Sequence, residues 1–282
     1  MQTDTFKIDL ENIAGFGLAG NFANHLEQAG ESEDFINVEV DEADAPKGIF
    51  PFYLKDFDGF IADFPLSSST IVEKPGENIQ MEPEIALLCD VTYVDGIVKT
   101  ITPTHFSAYN DCSIRRKGAK KISEKKNWGA NTKGVSQDFI AIDHFSDGGI
   151  MDHYNIASFI KRDDRLIAYG VDSQAIGYSF FYEKLLRWME NKFATQTDHG
   201  PLEDISKYLQ SVDNPKRFLI SIGATRYTSF GETNFLNVDD ELFVVLYDRR
   251  HEDKSSIEKK LHQDPSTLHE SCSILRQKVI KG

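Results

Sequence analysis

Residues 84–94 are an apolar, strand-like run, Asp95-Gly96 follows as a type I′ turn dipeptide, and 97–102 returns as a second arm. A third strand is predicted over 104–111. This hairpin commits the middle of the chain to antiparallel sheet, and the flanking segments add to it. Strands are predicted over 49–54, 139–142, 217–222 and 242–247. Fewer helices are expected. Apolar residues at 181, 182, 185, 186, 189 and 193 repeat with helical period, and 202–209 reads as a shorter helix. The fold class is therefore mostly β with a few helices (α+β).

The two ends are organised differently. A short helical pattern over 21–28 follows Gly15, Gly17 and Gly20 and is closed by Gly30 as a C-cap, which reads as a mobile lid. The stretch 123–134 is polar and loop-like, and the charged tail after Arg249 carries a weak helical pattern over 267–280. The expected division is 1–45 as an N-terminal segment with the lid helix, 46–249 as the main domain, and 250–282 as a C-terminal tail.

Of the 282 residues, 40% are hydrophobic and 27% charged, a globular balance far from that of disordered chains. The 31 Lys and Arg against 45 Asp and Glu leave a net charge of −14. Polyanionic partners, nucleic acid and anionic membrane alike, need a basic face, and the one Lys/Arg-dense stretch, 115–126, is too short to outweigh the acidity. The polar start, with Asp4, Lys7 and Asp9, is unlike a secretory signal, and no apolar run reaches membrane-spanning length. A cytoplasmic location is expected. Cys89, Cys112 and Cys272 are too scattered for a disulfide framework or zinc knuckle, so reduced thiols are the default. His144, His153 and His199 are too dispersed for a zinc site, and Cys112, with no defined His or Asn partner, reads as a buried small hydrophobe.

Glu82 and Glu84 stand at i and i+2 at the head of the first strand and project to the same face. Two buried like charges must protonate, find cations or hold a metal. The hairpin brings the chain back near them at Asn110-Asp111, which offers a third carboxylate. With no thiolate or imidazole cluster nearby, such a set favours a hard cation, Mg²⁺, Mn²⁺ or Ca²⁺, over Zn²⁺. A solvated strand edge and a plain Asn-Asp turn are the alternatives.

Together, Met81-Glu82-Pro83-Glu84-Ile85-Ala86-Leu87 and Asn110-Asp111-Cys112-Ser113-Ile114-Arg115 resemble the paired Glu-x-Glu and Asn-Asp-x-Ser-x-Arg signatures of the fumarylacetoacetate hydrolase superfamily. Lys126-Asn127-Trp128-Gly129 resembles its Lys-x-aromatic loop, Pro51-Phe52-Tyr53-Leu54-Lys55 its Phe-x-Lys strand, and Asn21-Phe22-Ala23-Asn24-His25 its lid motif. Ile222-Gly223-Ala224-Thr225 and Val238-Asp239-Asp240 resemble eroded forms of its Gly-Thr-Pro and Pro-Gly-Asp elements. The resemblance implies a β-rich fold of that superfamily over 46–249, usually a homodimer, with Glu82, Glu84 and Asp111 holding a divalent cation, commonly Mg²⁺. It further implies His25 and Lys126 as catalytic residues and Gln28, Arg115 and Thr225 as substrate contacts, the alternative for Arg115 being an ion pair with the carboxylate cluster itself. The implied chemistry is hydrolytic or decarboxylating cleavage of a C–C bond in a small anionic 2-oxo acid or β-dicarbonyl compound. A non-catalytic relative that binds such a ligand is the alternative.

One departure bears on mechanism. The superfamily's lid carries an acid three residues after its histidine, and here that position is Gln28. At about 100° per residue, Glu27 lies on the far side of a helix from His25 and cannot substitute. Either Glu31 or Glu33 reaches in from the following loop, or the chemistry needs no carboxylate base, as in decarboxylation.

Overall fold

A computed structural model describes residues 8–35, 38, 40, 42–116 and 118–282. The chain start with Asp4 and Lys7, and Lys117 of the basic stretch, lie outside the described residues, as does the side chain of Glu33.

The central hairpin forms as the turn chemistry requires. The Pro83–Val94 strand pairs antiparallel with Ile97–Asn110 from Pro83↔Asn110 to Val94↔Ile97, and Asp95 and Gly96 both take positive φ, 53° and 75°. The second arm is one 14-residue strand, where two strands, 97–102 and 104–111, were expected. A register shift between Leu88 and Cys89 lets the chain continue through Pro103, which lies opposite Cys89.

Around this hairpin runs an eight-stranded sheet in the order Gly48–Tyr53, Ala14–Ala19, Arg217–Ser221, Pro83–Val94, Ile97–Asn110, Lys133–Val135, Leu66–Ser67, with Ile140–Ala141 also on the Ile97–Asn110 strand. A six-stranded sheet has the order Arg165–Ala168, Tyr154–Arg162, Glu241–Asp248, Ser273–Ile280, Thr70–Val72, with Ser173–Gln174 beside Tyr154–Arg162. The sheets meet through Phe106, edge-on to Tyr154 with ring centroids 4.8 Å apart, and through buried polar ties: the Ala108 N–H to Ser273 Oγ at 3.0 Å and Asn110 Nδ2 to Gln277 Oε1 at 3.0 Å. The Tyr182–Thr195 helix covers the first sheet, packing Phe193 against Phe16 and Phe218. The fold is mostly β with a few helices, as expected. No helix among the described residues is long and apolar enough to cross a membrane.

Three local expectations change. The glycine-rich start is an interior strand, Ala14–Ala19, buried throughout: a Cβ on Gly15 would fall 2.2 Å from the Phe52 ring and one on Gly17 2.3 Å from that of Phe50, so glycine here permits close packing rather than mobility. The lid helix is only His25–Gln28. Asn21 is tied instead to Phe180 and Ile222, its amide donating to both carbonyls at 3.0 and 2.9 Å, and Asn24 is left-handed with φ 66°. Finally, 267–280 ends in the Ser273–Ile280 strand, not a helix, paired to Glu241–Asp248 and Thr70–Val72.

Candidate active site

The hairpin mouth collects the carboxylates. Glu82 N–H donates to Asn110 Oδ1 at 3.1 Å and Asp111 N–H to Glu82 O at 2.9 Å, which locks the two signatures together. Glu82, Glu84 and Asp111 are 3%, 1% and 0% exposed, and one oxygen from each lies within 4.8 Å of the others. Glu84 also accepts the Gly223 N–H at 2.9 Å.

Three cations contact these acids, and a fourth, Lys125, joins Arg115 on the neighbouring Glu31. Lys126 Nζ lies 2.7 Å from Glu82 Oε2 and 2.5 Å from Asp111 Oδ2. Lys133 Nζ lies 2.5 Å from Asp111 Oδ1. Arg115 Nη2 sits 2.6 Å from Glu82 Oε1 and Nη1 2.8 Å from Glu31, while Lys125 Nζ is 2.7 Å from Glu31. All are buried, so attraction acts at short range with little screening.

Protonation behaviour divides the carboxylates. Burial raises the proton affinity of Glu82, yet Lys126 and Arg115 overcome it and hold the group below the ordinary carboxylate range. Glu84 goes the other way: burial first, then the negative Asp111 and Glu82, push it well above its ordinary value despite Lys126 and the Gly223 N–H. Lys126 is raised, because Asp111 and Glu82 outweigh its burial. At Lys133 burial wins and the value falls. The positive charge is thus concentrated at Glu82 and Asp111, and Glu84 is the acid left short of a cation.

A divalent ion suits this donor set. The three oxygens are hard ligands, their spread is compatible with one shared ion, Glu84 lacks compensation, and the buried Glu82 Oε1 receives no hydrogen bond, its Arg115 neighbour lying out of line. The lysines approach carboxylate oxygens that each have two lone pairs, so ion pairing and ligation are compatible.

The lid supplies the opposite wall. His25 is 4% exposed; its Nδ1 lies 3.0 Å from the Thr225 carbonyl and must carry the proton there, so Nε2 is the unprotonated nitrogen. Burial is the main cause that lowers its pKa to about 4, with Arg115 and Lys126 adding to the effect against Glu82 and Glu31. His25, Glu31, Glu82 and Lys126 line one cavity of about 20 Å³ with Phe50 and Ala224, room for about one water. Gln28 lies on the seam between lid and the 222–228 loop, where its side chain donates to Tyr227 O at 3.2 Å and to Glu232 at 3.4 Å and accepts the Tyr227 N–H at 2.9 Å. Thr225 lies on the same seam, its carbonyl holding His25.

Residues 31–279 match the family model DUF5718, described as a family of unknown function. The chain belongs to this family. No curated protein matches its sequence. Among solved structures, a putative fumarylacetoacetate isomerase/hydrolase from Oleispira antarctica aligns with TM-score 0.54 at 12% identity, covering 95% of this chain and 93% of that one. A 5-carboxymethyl-2-hydroxymuconate delta-isomerase from Mycobacterium smegmatis aligns with TM-score 0.52 at 11% identity over 95% and 79%. A 2-keto-3-deoxy-D-arabinonate dehydratase complexed with magnesium and 2,5-dioxopentanoate aligns with TM-score 0.50 at 13% identity over 98% and 78%. These are folds of the fumarylacetoacetate hydrolase superfamily, and at such identities the likeness is one of fold.

The structure brings together Glu82, Glu84, Asp111, Lys126, Arg115 and His25. It adds Lys133, fully buried against Asp111, which sequence reasoning missed because a lysine in a polar, Lys-rich loop carries no burial signal. It also adds Glu31 as a buried site carboxylate, one of the two acids expected to reach in from the loop.

Proposed function

We propose that the chain is a divalent-metal-dependent enzyme of the fumarylacetoacetate hydrolase superfamily that cleaves a C–C bond in a small 2-oxo acid or β-dicarbonyl compound. The observation that carries this reading is the buried Glu82–Glu84–Asp111 group, whose Glu82 lines one small cavity together with a neutral histidine and a lysine. Glu82, Glu84 and Asp111 would hold the ion, with Mg²⁺ the first choice and Mn²⁺ or Ca²⁺ the alternatives. When bound, it would supply Lewis-acid stabilisation of the negative charge that builds on a substrate oxygen.

The protein's own groups have separable roles. Lys126, fixed by Glu82 and Asp111, orients an anionic oxygen at the cavity wall. His25, with its Nδ1–H on Thr225, offers Nε2 as a proton acceptor or water contact. A base with a pKa of about 4 is unprotonated at neutral pH but draws protons weakly. Together with the amide at position 28, this favours decarboxylation, which needs no activated water, over hydrolysis. Gln28 and Thr225 position the lid, and Arg115 meets a substrate carboxylate. In this reading residues 1–45 act as the lid segment, 46–249 as the catalytic body and 250–282 as a tail, in a cytoplasmic homodimer.

Turnover of oxaloacetate and a panel of acylpyruvates tests the proposal: activity should require Mg²⁺ or Mn²⁺, vanish with EDTA and be lost in Asp111→Ala. No turnover of any of them with either metal would count against it. The second reading, a non-catalytic binder, draws on Gln28, whose amide is held by Tyr227 and Glu232. It expects Mg²⁺ with oxalate to raise the Tm while oxaloacetate and acylpyruvates survive unchanged.

A further inference from the structure

Glu203 is a buried acid that the proposed chemistry does not use. It stands in the connection between the Tyr182–Thr195 and Ile205–Ser211 helices, away from the three carboxylates. Its Oε1 accepts the Ser123 hydroxyl, and its Oε2 has no hydrogen-bond partner among the described residues. A carboxyl placed there costs stability through lost hydration that one hydroxyl does not restore. What the acid holds in place therefore calls for a reason other than stability.

The acid is fixed from behind. Gln196 Nε2 donates to Glu203 O at 2.9 Å and to Ile49 O at 2.7 Å, while Gln196 Oε1 accepts the Ile49 N–H at 2.8 Å, which ties the connection to the Gly48–Tyr53 strand. On the other side, buried Ser123 heads the Ser123–Lys125 turn. The Ser123 carbonyl accepts the Lys126 N–H at 3.0 Å and the Asn127 N–H at 3.3 Å. Lys126 then carries its ammonium to Glu82 at 2.7 Å and Asp111 at 2.5 Å. An unbroken series of hydrogen bonds thus leads from Glu203 to the backbone of the lysine in the cavity. Lys133 reaches the same Asp111 from a different element, the Lys133–Val135 strand, where its N–H is bonded to Pro65 O at 3.0 Å.

We infer that Glu203 is a positioning residue for Lys126: by holding the Ser123 hydroxyl it fixes the 123–126 turn, and with it the point at which the Lys126 ammonium meets an anionic oxygen of the ligand. The part that concerns the ligand rests on the proposed reading of Lys126 as its contact. Glu203 touches neither the cavity nor the three carboxylates, so it acts only through the turn. A lysine on a long, rotamer-rich side chain holds one geometry only if its backbone is held first, and the Ser123 carbonyl supplies that hold.

Acetic anhydride labelling of the metal-free protein, read by peptide mass spectrometry, reports how often the Lys126 amine leaves Glu82 and Asp111 for solvent. Glu203→Leu keeps the bulk but loses the acceptor, and should speed labelling of Lys126 about tenfold while leaving Lys133 unchanged. Glu203→Gln, whose amide oxygen still accepts the Ser123 hydroxyl, should restore the slow rate. Unchanged Lys126 labelling in folded Glu203→Leu, or an equal rise at Lys133, would overturn the proposal. Should Glu203→Leu not fold, Ser123→Ala removes the same bond from the other side and is judged by the same two rates. Calorimetry with oxalate and saturating Mg²⁺ separates this inference from the reading it rests on. Oxalate should bind about tenfold more weakly to Glu203→Leu and normally to Glu203→Gln. Equal affinity in all three proteins removes the positioning role and leaves the metal reading standing. No oxalate binding by wild type, beside selective labelling of Lys126, counts against the metal reading and leaves the coupling of Glu203 to Lys126 in place.

Discussion

Glu203 offers a quantitative test of how the site's foundation is built. It is 1% exposed, one of its oxygens accepts the Ser123 hydroxyl, and the other, Oε2, has no hydrogen-bond partner among the described residues. Ser123 opens the turn that carries Lys125 and leads into Lys126. Burial raises the Glu203 pKa from 4.5 to about 7, outweighing the Ser123 hydrogen bond and Lys121. A raised value means that the folded state binds the extra proton. Its stabilising contribution is complete below the unfolded value and is lost as pH rises through about 7. The whole effect is on the order of 3 kcal/mol, and a change of 1 kcal/mol moves Tm by roughly 2–4 °C in a chain of this size. Glu203→Gln removes the ionisation while keeping size and polarity. Thermal unfolding of wild type and variant should be compared at pH 5, 6, 7 and 8. His25, whose lowered value acts in the opposite sense by favouring the fold as pH rises above about 4, is common to both and cancels in the difference. The variant should gain on the wild type as pH rises, by several degrees between pH 5 and 8. A pH-independent difference would refute the reasoning.

Other perturbations address the packing and the charge cluster. Gly15→Ala drives a methyl into the Phe52 ring and should destabilise the fold by about 1–3 kcal/mol in denaturant unfolding. Lys133→Met removes one of two lysines from buried Asp111 and should cost about 3 kcal/mol by the same measurement. Unchanged stability would mean that Lys133 is dispensable to Asp111. Asp111→Asn should abolish any rise in Tm caused by Mg²⁺, and a rise equal to that of wild type would place the ion elsewhere.

The hairpin and its carboxylates were legible because turn chemistry and residue spacing act locally: Asp95-Gly96 needs no partner to take positive φ, and the i, i+2 spacing at the head of the strand anticipates the convergence of Glu82, just before Pro83–Val94, with Glu84 inside it. The Tyr154–Arg162 strand was not legible. Its first seven residues are buried, so the alternation that marks a half-exposed strand is absent. In Ser273–Ile280 the inward positions are Ser273, Leu275, Gln277 and Val279, and the polar pair disguises the period because each bonds across the sheet interface, to Ser107 and Ala108 or to Asn110. Gly15 and Gly17 read as flexible for want of side chains, when the rings of Phe52 and Phe50 fill that space. At the site, motif spacing located the acids, but the burial of Lys133 and the approach of Glu31 to Arg115 and Lys125 depend on long-range packing that no local pattern records.

Whether Glu82, Glu84 and Asp111 together hold a divalent ion is tested most directly by anomalous diffraction from crystals grown with Mn²⁺. The expected result is one anomalous peak bounded by oxygens of all three residues, absent from Asp111→Asn crystals grown the same way. Carboxylates closed on Lys126 and Lys133 with no peak between them, at Mn²⁺ concentrations that load exposed surface sites, would contradict it.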